Sequence, residues 1–315
     1  MKLHESIHTE NIVRSTPSIL AMLLRDQTLS NISQNVNICW ATDDYEKFGA
    51  SVSQPLTHFK KNSQIYPEDV SGVNIGIITP RVAKHSELQS SRAKSKAEVF
   101  TPSWICNAQN NLIDEQWFGR KDVFNKESTD CNGNHIWTAT NGKIDFEGGR
   151  KWMTYVKLKR MEMACGEAPY IVSRYDATSG EKIAIKDRIG IIDRKFRIVN
   201  ENTSSIPTPY NKRHWLRKIY LALQSVYGFD CQGDNVFLAR ESLFHSFCDY
   251  YIDRWDKMPN FAAMMKAAEI ISWNIWQMDG INFKTPNSEA DALIMEWHGI
   301  EPLRGKTMCF KELIK

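Results

Sequence analysis

The stretch that constrains this chain most is 161–170, Met-Glu-Met-Ala-Cys-Gly-Glu-Ala-Pro-Tyr. It follows a β-like run over 155–163, in which Val156, Leu158 and Met163 supply the apolar residues. The chain must then turn through Cys165-Gly166, and Ile171 and Val172 read as a helix start. Small residues let the backbone approach a ligand, and the free N–H groups of a helix start attract a carboxylate or phosphate. Glu162 stands at the strand end. The pattern suits a seat for a cofactor's charged tail, and equally an ordinary strand–turn–helix connection.

The rest of the chain narrows the choice. Its 315 residues give room for one large α/β domain or two modest ones. With 42% hydrophobic and 24% charged residues it has the balance of a soluble globular protein rather than a disordered one. No apolar run approaches a membrane span and residues 1–9 are polar, which predicts a cytoplasmic chain with no membrane partner. Seven cysteines, an odd number without CxxC spacing, predict reduced thiols rather than a disulfide frame or zinc ribbon. The net charge of +3 is too small to name a partner. Residues 81–96, however, gather Arg81, Lys84, Arg92, Lys94 and Lys96 against Glu87 alone. Such a strip suits a nucleic-acid backbone or a solvated loop.

In chain order, Thr16-Pro17 reads as an N-cap and first helical residue, with Ile19, Leu20, Leu23 and Leu24 following on one face to about Asp26. Residues 37–42 and 73–78 read as short strands, with a polar turn at Asp43-Asp44. Glu98-Val99-Phe100-Thr101-Pro102 reads as an extended pair leading into a helix capped by Thr101 and begun by Pro102; Trp104, Ile105, Ala108, Leu112 and Ile113 continue it at helical spacing. Residues 118–150 read as a polar loop, in which Cys131 and His135 are too few to hold a metal. His4 and His8 read as surface residues, and no metal site is predicted. After the small-residue turn, 176–210 reads as an insertion with β-like runs at 183–185 and 189–192. A helix over 211–224 then leads to a strand ending at Asp230. Asp234 is placed to cap the long amphipathic helix that follows, whose core side carries Val236, Leu243, Phe244, Phe247, Cys248, Tyr251, Ile252 and Trp255. A further helix over 259–270 precedes a half-buried strand over 271–278, ending at Asp279-Gly280. Trp273 and Trp276 read as packing residues.

Three of these stretches resemble, in order, motifs of adenine-specific DNA methyltransferases. Val99-Phe100-Thr101-Pro102 is similar to the segment that precedes the cofactor loop. Glu162-Met163-Ala164-Cys165-Gly166-Glu167-Ala168 resembles a degenerate Asp-Pro-Ala-Cys-Gly-Ser-Gly, the S-adenosylmethionine loop. Val226-Tyr227-Gly228-Phe229-Asp230, with Asp234-Asn235-Val236 and Ala239-Arg240, resembles the second motif. A softer likeness joins Met278-Asp279-Gly280 to the third. The resemblance covers roughly 99–280. It implies a Rossmann-like α/β sheet that binds S-adenosylmethionine over 98–315, with a mixed α/β region over 1–97 before it. It also implies cofactor contacts from Thr101, Pro102, Glu162, Ala164, Cys165, Gly166, Glu167, Asp230 (to the ribose hydroxyls) and Asp279 (to the adenine amino group). A carboxylate at the end of the second strand has that role in dinucleotide folds as well.

The resemblance stops short of chemistry. Such enzymes carry an Asn/Asp-Pro-Pro-Tyr/Phe loop whose polar groups direct the target amino nitrogen and whose aromatic ring stacks on the flipped base. None of the eleven prolines here is adjacent to another. The expectation is therefore the front, cofactor-binding portion of a modification enzyme of a restriction–modification system. Double-stranded DNA is the expected partner, with the catalytic loop and target recognition expected from a missing segment or from a partner chain. The alternative is a non-catalytic cofactor-binding or DNA-docking subunit. A nuclease reading has less behind it, because Gly148-Gly149 follow Asp145 and Glu147 where a lysine would be needed.

Overall fold

A computed structural model describes residues 11–46, 58–84, 92–93 and 101–314. The expectations at His4, His8, Glu87, Lys94, Lys96 and Glu98-Val99-Phe100 fall outside them.

Helix α1 (Pro17–Leu24) begins at Pro17 as expected and buries Ile19, Leu20, Leu23 and Leu24, although Thr16 makes no side-chain cap. Residues 37–42 do not form a strand. Asn37 and Cys39 make isolated bridges only, because Cys39 bonds through both its N–H and its C=O to the side-chain amide of Gln277 (2.9 and 2.7 Å). Residues 73–78 hold a 3₁₀ turn, Gly72–Asn74, instead of a strand, and Val73 is 97% exposed with no sheet to enter.

Helix α2 (Ser103–Phe118) starts one residue later than expected, with Pro102 at the cap position and no capping bond from its own end. Asp176 supplies the acceptor instead, taking the Ser103 N–H at 3.0 Å. The polar stretch after α2 folds into a hairpin of β1 (Asn125–Thr129) and β2 (His135–Ala139) rather than a loop. Its tip is set by Asn132-Gly133, where Gly133 has φ +84° and the Asp130 carboxylate accepts from Asn132 and Asn134. The run expected as β over 155–163 is helical first, in α3 (Trp152–Val156), and becomes strand β3 only over Arg160–Met163.

No helix begins at Ile171. Residues 164–172 are a series of turns, and helix α4 (Ile191–Asn202) starts twenty residues later. The segment 176–210, expected as a β-containing insertion, instead contains a 3₁₀ turn (Ile185–Asp187) and α4, and so forms part of the crossover out of β3. Helix α5 (Pro209–Leu223) completes that crossover and delivers strand β4 (Val226–Asp230). Helix α6 (Gly233–Trp255) and helix α7 (Phe261–Asn274) make the next one. Because α7 runs on through Ile271, Ser272 and Trp273, strand β5 is only Ile275–Gln277.

Strands β3, β4 and β5 form a parallel three-stranded sheet in sequential order, with Glu162 beside Gly228 and Asp230 beside Gln277. Alternation along β4 sorts its faces. Val226 joins Ile275 in a large core with the helices, whereas Tyr227, Phe229 and Trp276 pack under an antiparallel hairpin, β6 (Leu293–Ile300) and β7 (Leu303–Cys309), with Ile294 and Phe310. The large core is continuous with the N-terminal residues, since Val13, Leu20 and Trp40 share it with Phe237 and Ile271. Arg240, fully buried in α6, donates to the carbonyls of Leu23, Arg25, Ser272 and Ile275, pinning the ends of α1 and α7. The architecture is mixed α/β, and no helix among the described residues is long and apolar enough to cross a membrane.

Candidate functional site

A cavity of about 360 Å3 opens at the carboxyl ends of β3 and β4, the place where open α/β sheets bind ligands. Thr101, Glu162, Ala164, Cys165, Gly166, Glu167 and Asp230 all line it. These residues come from three stretches separated by about sixty positions each; the sheet register brings the second and third together, and the start of α2 brings Thr101 to them. Two expected residues are not in its wall. Pro102 is the cap residue of α2. Asp279 lies at a different surface depression, where its carboxylate accepts from the Ile281 N–H and the Asn282 side chain (both 2.8 Å).

The turn after β3 is conformationally unusual. Ala164, Gly166 and Ala168 have φ of +50°, +54° and +61°. Glycine adopts this region freely, but each alanine there costs about 1 kcal/mol or more. Strain of this kind persists only where the surroundings enforce it. Two contacts to β4 do so: the Cys165 N–H donates to the Phe229 carbonyl (2.8 Å) and the Gly166 N–H to Asp230 Oδ2 (3.0 Å). The Gly166 amide is thus already satisfied by the expected ribose carboxylate. Asp230 Oδ1 also accepts from the Gln232 N–H (2.9 Å), and Asn235 lies 3.4 Å away. A carboxylate has about four lone-pair directions, so capacity for a hydroxyl remains. Burial pushes the Asp230 carboxyl upward against these hydrogen bonds.

Glu162 lines the same cavity as Asp230. Its Oε2 is buried without a hydrogen-bond partner among the described residues. Burial holds its carboxyl well above the usual range; the N–H groups of Tyr170 and Ile171 act in the opposite direction, and the Asp230 charge adds to the rise. Cys165 is buried and its thiol is pushed up, first by burial and then by Glu162 and Asp230, so it is a packing residue rather than a nucleophile. Glu167 accepts from the Arg81 N–H (2.6 Å) and the Tyr175 hydroxyl (2.7 Å), drawing the N-terminal region onto the cavity rim.

The described cations of the basic strip do not form a surface. Arg81, Lys84 and Arg92 are 5%, 8% and 0% exposed. Lys84 and Arg92 meet Asp234 at 3.1 and 3.0 Å, and Arg92 also meets Asp44 at 2.6 Å. Asp234 therefore does not cap α6; it lies inside the first turn and also accepts from the Tyr45 hydroxyl (2.6 Å). Burial raises its carboxyl, but Lys84 and Arg92 more than offset this and bring it down to about 2.

Sequence reasoning missed the contributions of Arg174, Tyr175 and Ser242 to the cavity wall. Nothing in their local pattern marks them, because tertiary packing alone brings α6 and the 174–175 segment to the turn. No protein-family model, curated protein or solved structure matches this chain.

Proposed function

We propose that this chain binds S-adenosylmethionine in the cavity at the ends of β3 and β4 and forms the cofactor-binding portion of an adenine-specific DNA methyltransferase. One observation carries the reading: seven residues singled out from three sequence motifs line a single cavity at the carboxyl ends of adjacent parallel strands. The donor set suits the group. Among the described residues Glu162 has a buried oxygen without a partner, in the wall of a cavity of ligand size; Asp230 retains lone pairs for hydroxyls, and the strained turn brings backbone close to any occupant. When bound, S-adenosylmethionine supplies an activated methyl group. The chain's own residues bind and orient it and exclude water, and the effect sought from them is positioning.

The target-binding half of the reading rests on the resemblance. With no Pro-Pro pair in these 315 residues, the loop that would direct an adenine amino group has to be supplied by a partner chain or by a segment beyond them. The non-catalytic alternative, a cofactor-binding subunit, is favoured by the burial of Arg81, Lys84 and Arg92, which removes them from any DNA-facing strip.

Calorimetric titration of the purified chain with S-adenosylmethionine is the test. Micromolar binding that falls by about 1–3 kcal/mol in Asp230→Ala, through lost charged hydrogen bonds, supports the reading. Gly166→Asp is the second probe. A Cβ at Gly166 meets nothing within 4 Å, so the change does not fill the turn; it puts a second carboxylate beside Asp230 and into the cavity. A folded chain that binds no S-adenosylmethionine, or binds it equally in both variants, removes the proposal.

A further inference from the structure

A second cavity, of about 310 Å3, adjoins the first, and Arg174, Tyr175 and Ser242 line both. Its charged groups are already matched. Arg14 grips Glu241 with Nε and Nη2 (2.8 and 2.7 Å), and Arg174 Nε meets Asp249 at 2.9 Å. Ile75, Ile78 and Leu238 add an apolar wall.

His245, from the middle of α6, is the exception. It lines this cavity, is only 3% exposed, and its Nδ1 is buried without a hydrogen-bond partner among the described residues. Burial, reinforced by the nearby Arg174 charge, lowers its pKa to about 4, against the opposing pull of Glu241 and Asp249. At neutral pH it is an uncharged imidazole with one donor and one acceptor nitrogen. A buried polar group left unpaired costs about 1–3 kcal/mol, and groups of this kind in native proteins are generally satisfied by something.

We propose that this second cavity binds a small uncharged ring compound carrying an amide-type edge, an N–H beside a C=O, held through His245. The chemistry of the wall selects that class. A charged ligand would have to break the Arg14–Glu241 or Arg174–Asp249 pair to find a counter-ion, at high cost in a buried setting. A purely apolar ligand would leave His245 unpaired. An edge that both donates and accepts satisfies His245 and can share the Ser242 hydroxyl with Tyr175, while a flat body lies against Ile78 and Leu238. The volume sits at the small end of ligand pockets, which limits the guest to about one ring system. The site is distinct from the first cavity: Tyr175, which separates them, gives its hydroxyl hydrogen to Glu167 in the first cavity's wall. It does not depend on what the first cavity holds.

The test titrates the full chain with nicotinamide as the probe and follows the ring nitrogens of His245 by NMR. The expected result is a saturable shift of the His245 ring at millimolar probe or below. Affinity should fall at least tenfold in His245→Leu, whose fold is checked by its remaining spectrum. Should that variant not fold, the wild-type titration decides alone, because His245 is read directly. No saturable shift at His245 overturns the proposal. So do shifts centred on Cys165 and Gly166 instead, unchanged affinity in a folded His245→Leu, or probe-soaked crystals with only water in this cavity.

Discussion

Replacing Asp230 with asparagine tests whether this carboxylate holds the turn after β3 in place. In the wild type it accepts from the Gly166 N–H through Oδ2 and from the Gln232 N–H through Oδ1, at 3.0 and 2.9 Å, with the residue only 9% exposed. Asparagine keeps the shape and one acceptor oxygen, but its NH2 then faces one of the two amide donors. Leaving a buried donor unpaired costs about 1–3 kcal/mol. Part of this is offset, because burial already raises the Asp230 carboxyl and the ionised wild type carries that penalty at neutral pH. The net expectation at pH 7 is a loss of about 1–2 kcal/mol, or a fall in Tm of roughly 2–8 °C. The sign of the pH dependence follows from the raised pKa. A group of this kind adds stability below its unfolded pKa and loses it as pH rises through the folded one. The wild type therefore gains on the variant as pH is lowered towards 4, and the gap widens. Urea unfolding of both proteins at pH 7 and pH 5, with hydrogen exchange at the Gly166 amide, reads both effects. Equal midpoints with unchanged Gly166 exchange, or a gap that narrows on acidification, would refute the reasoning.

Asp234→Asn strips Lys84 and Arg92 of their shared buried partner and should cost about 3–5 kcal/mol at pH 7 in denaturant unfolding. Since the Asp234 carboxyl is depressed to about 2, its contribution is complete above the unfolded value of 3.8 and is lost as pH falls from there to 2, so the difference between the proteins should shrink across that window. Asp176→Ala removes the acceptor that caps α2 from outside, with an expected loss of about 1–2 kcal/mol and faster amide exchange in the first turn from Ser103; unchanged exchange there would remove the capping role. Gly233→Ala would set a Cβ 2.0 Å from the Cys39 carbonyl oxygen, and the Gly233 N–H donates to Trp40, so residues 39–40 should be forced off α6 at a cost of about 1–3 kcal/mol. Wild-type stability in that variant would show that the contact is not needed.

What the sequence determined by itself is local. Proline at a helix start and apolar residues at helical spacing gave α1, α5 and the core side of α6, because those signals lie within one turn of each other. The strand ending at Asp230 was legible for the same reason, and the turn through Cys165-Gly166 was legible from its run of small residues. Tertiary structure decided the rest. Whether Ile171 begins a helix depends on Gly190 and Asp193, which draw the chain through Ser173 before α4 starts. Whether residues 37–42 form a strand depends on Gln277, 238 positions from Cys39 in sequence, which takes the backbone bonds a neighbouring strand would have made. Whether Arg81, Lys84 and Arg92 form a surface strip depends on Asp234 and Glu167 reaching them from the other half of the chain. A charge read along a sequence has no burial. It acquires one only when a distant counter-charge makes leaving water tolerable, and that pairing is a property of the fold.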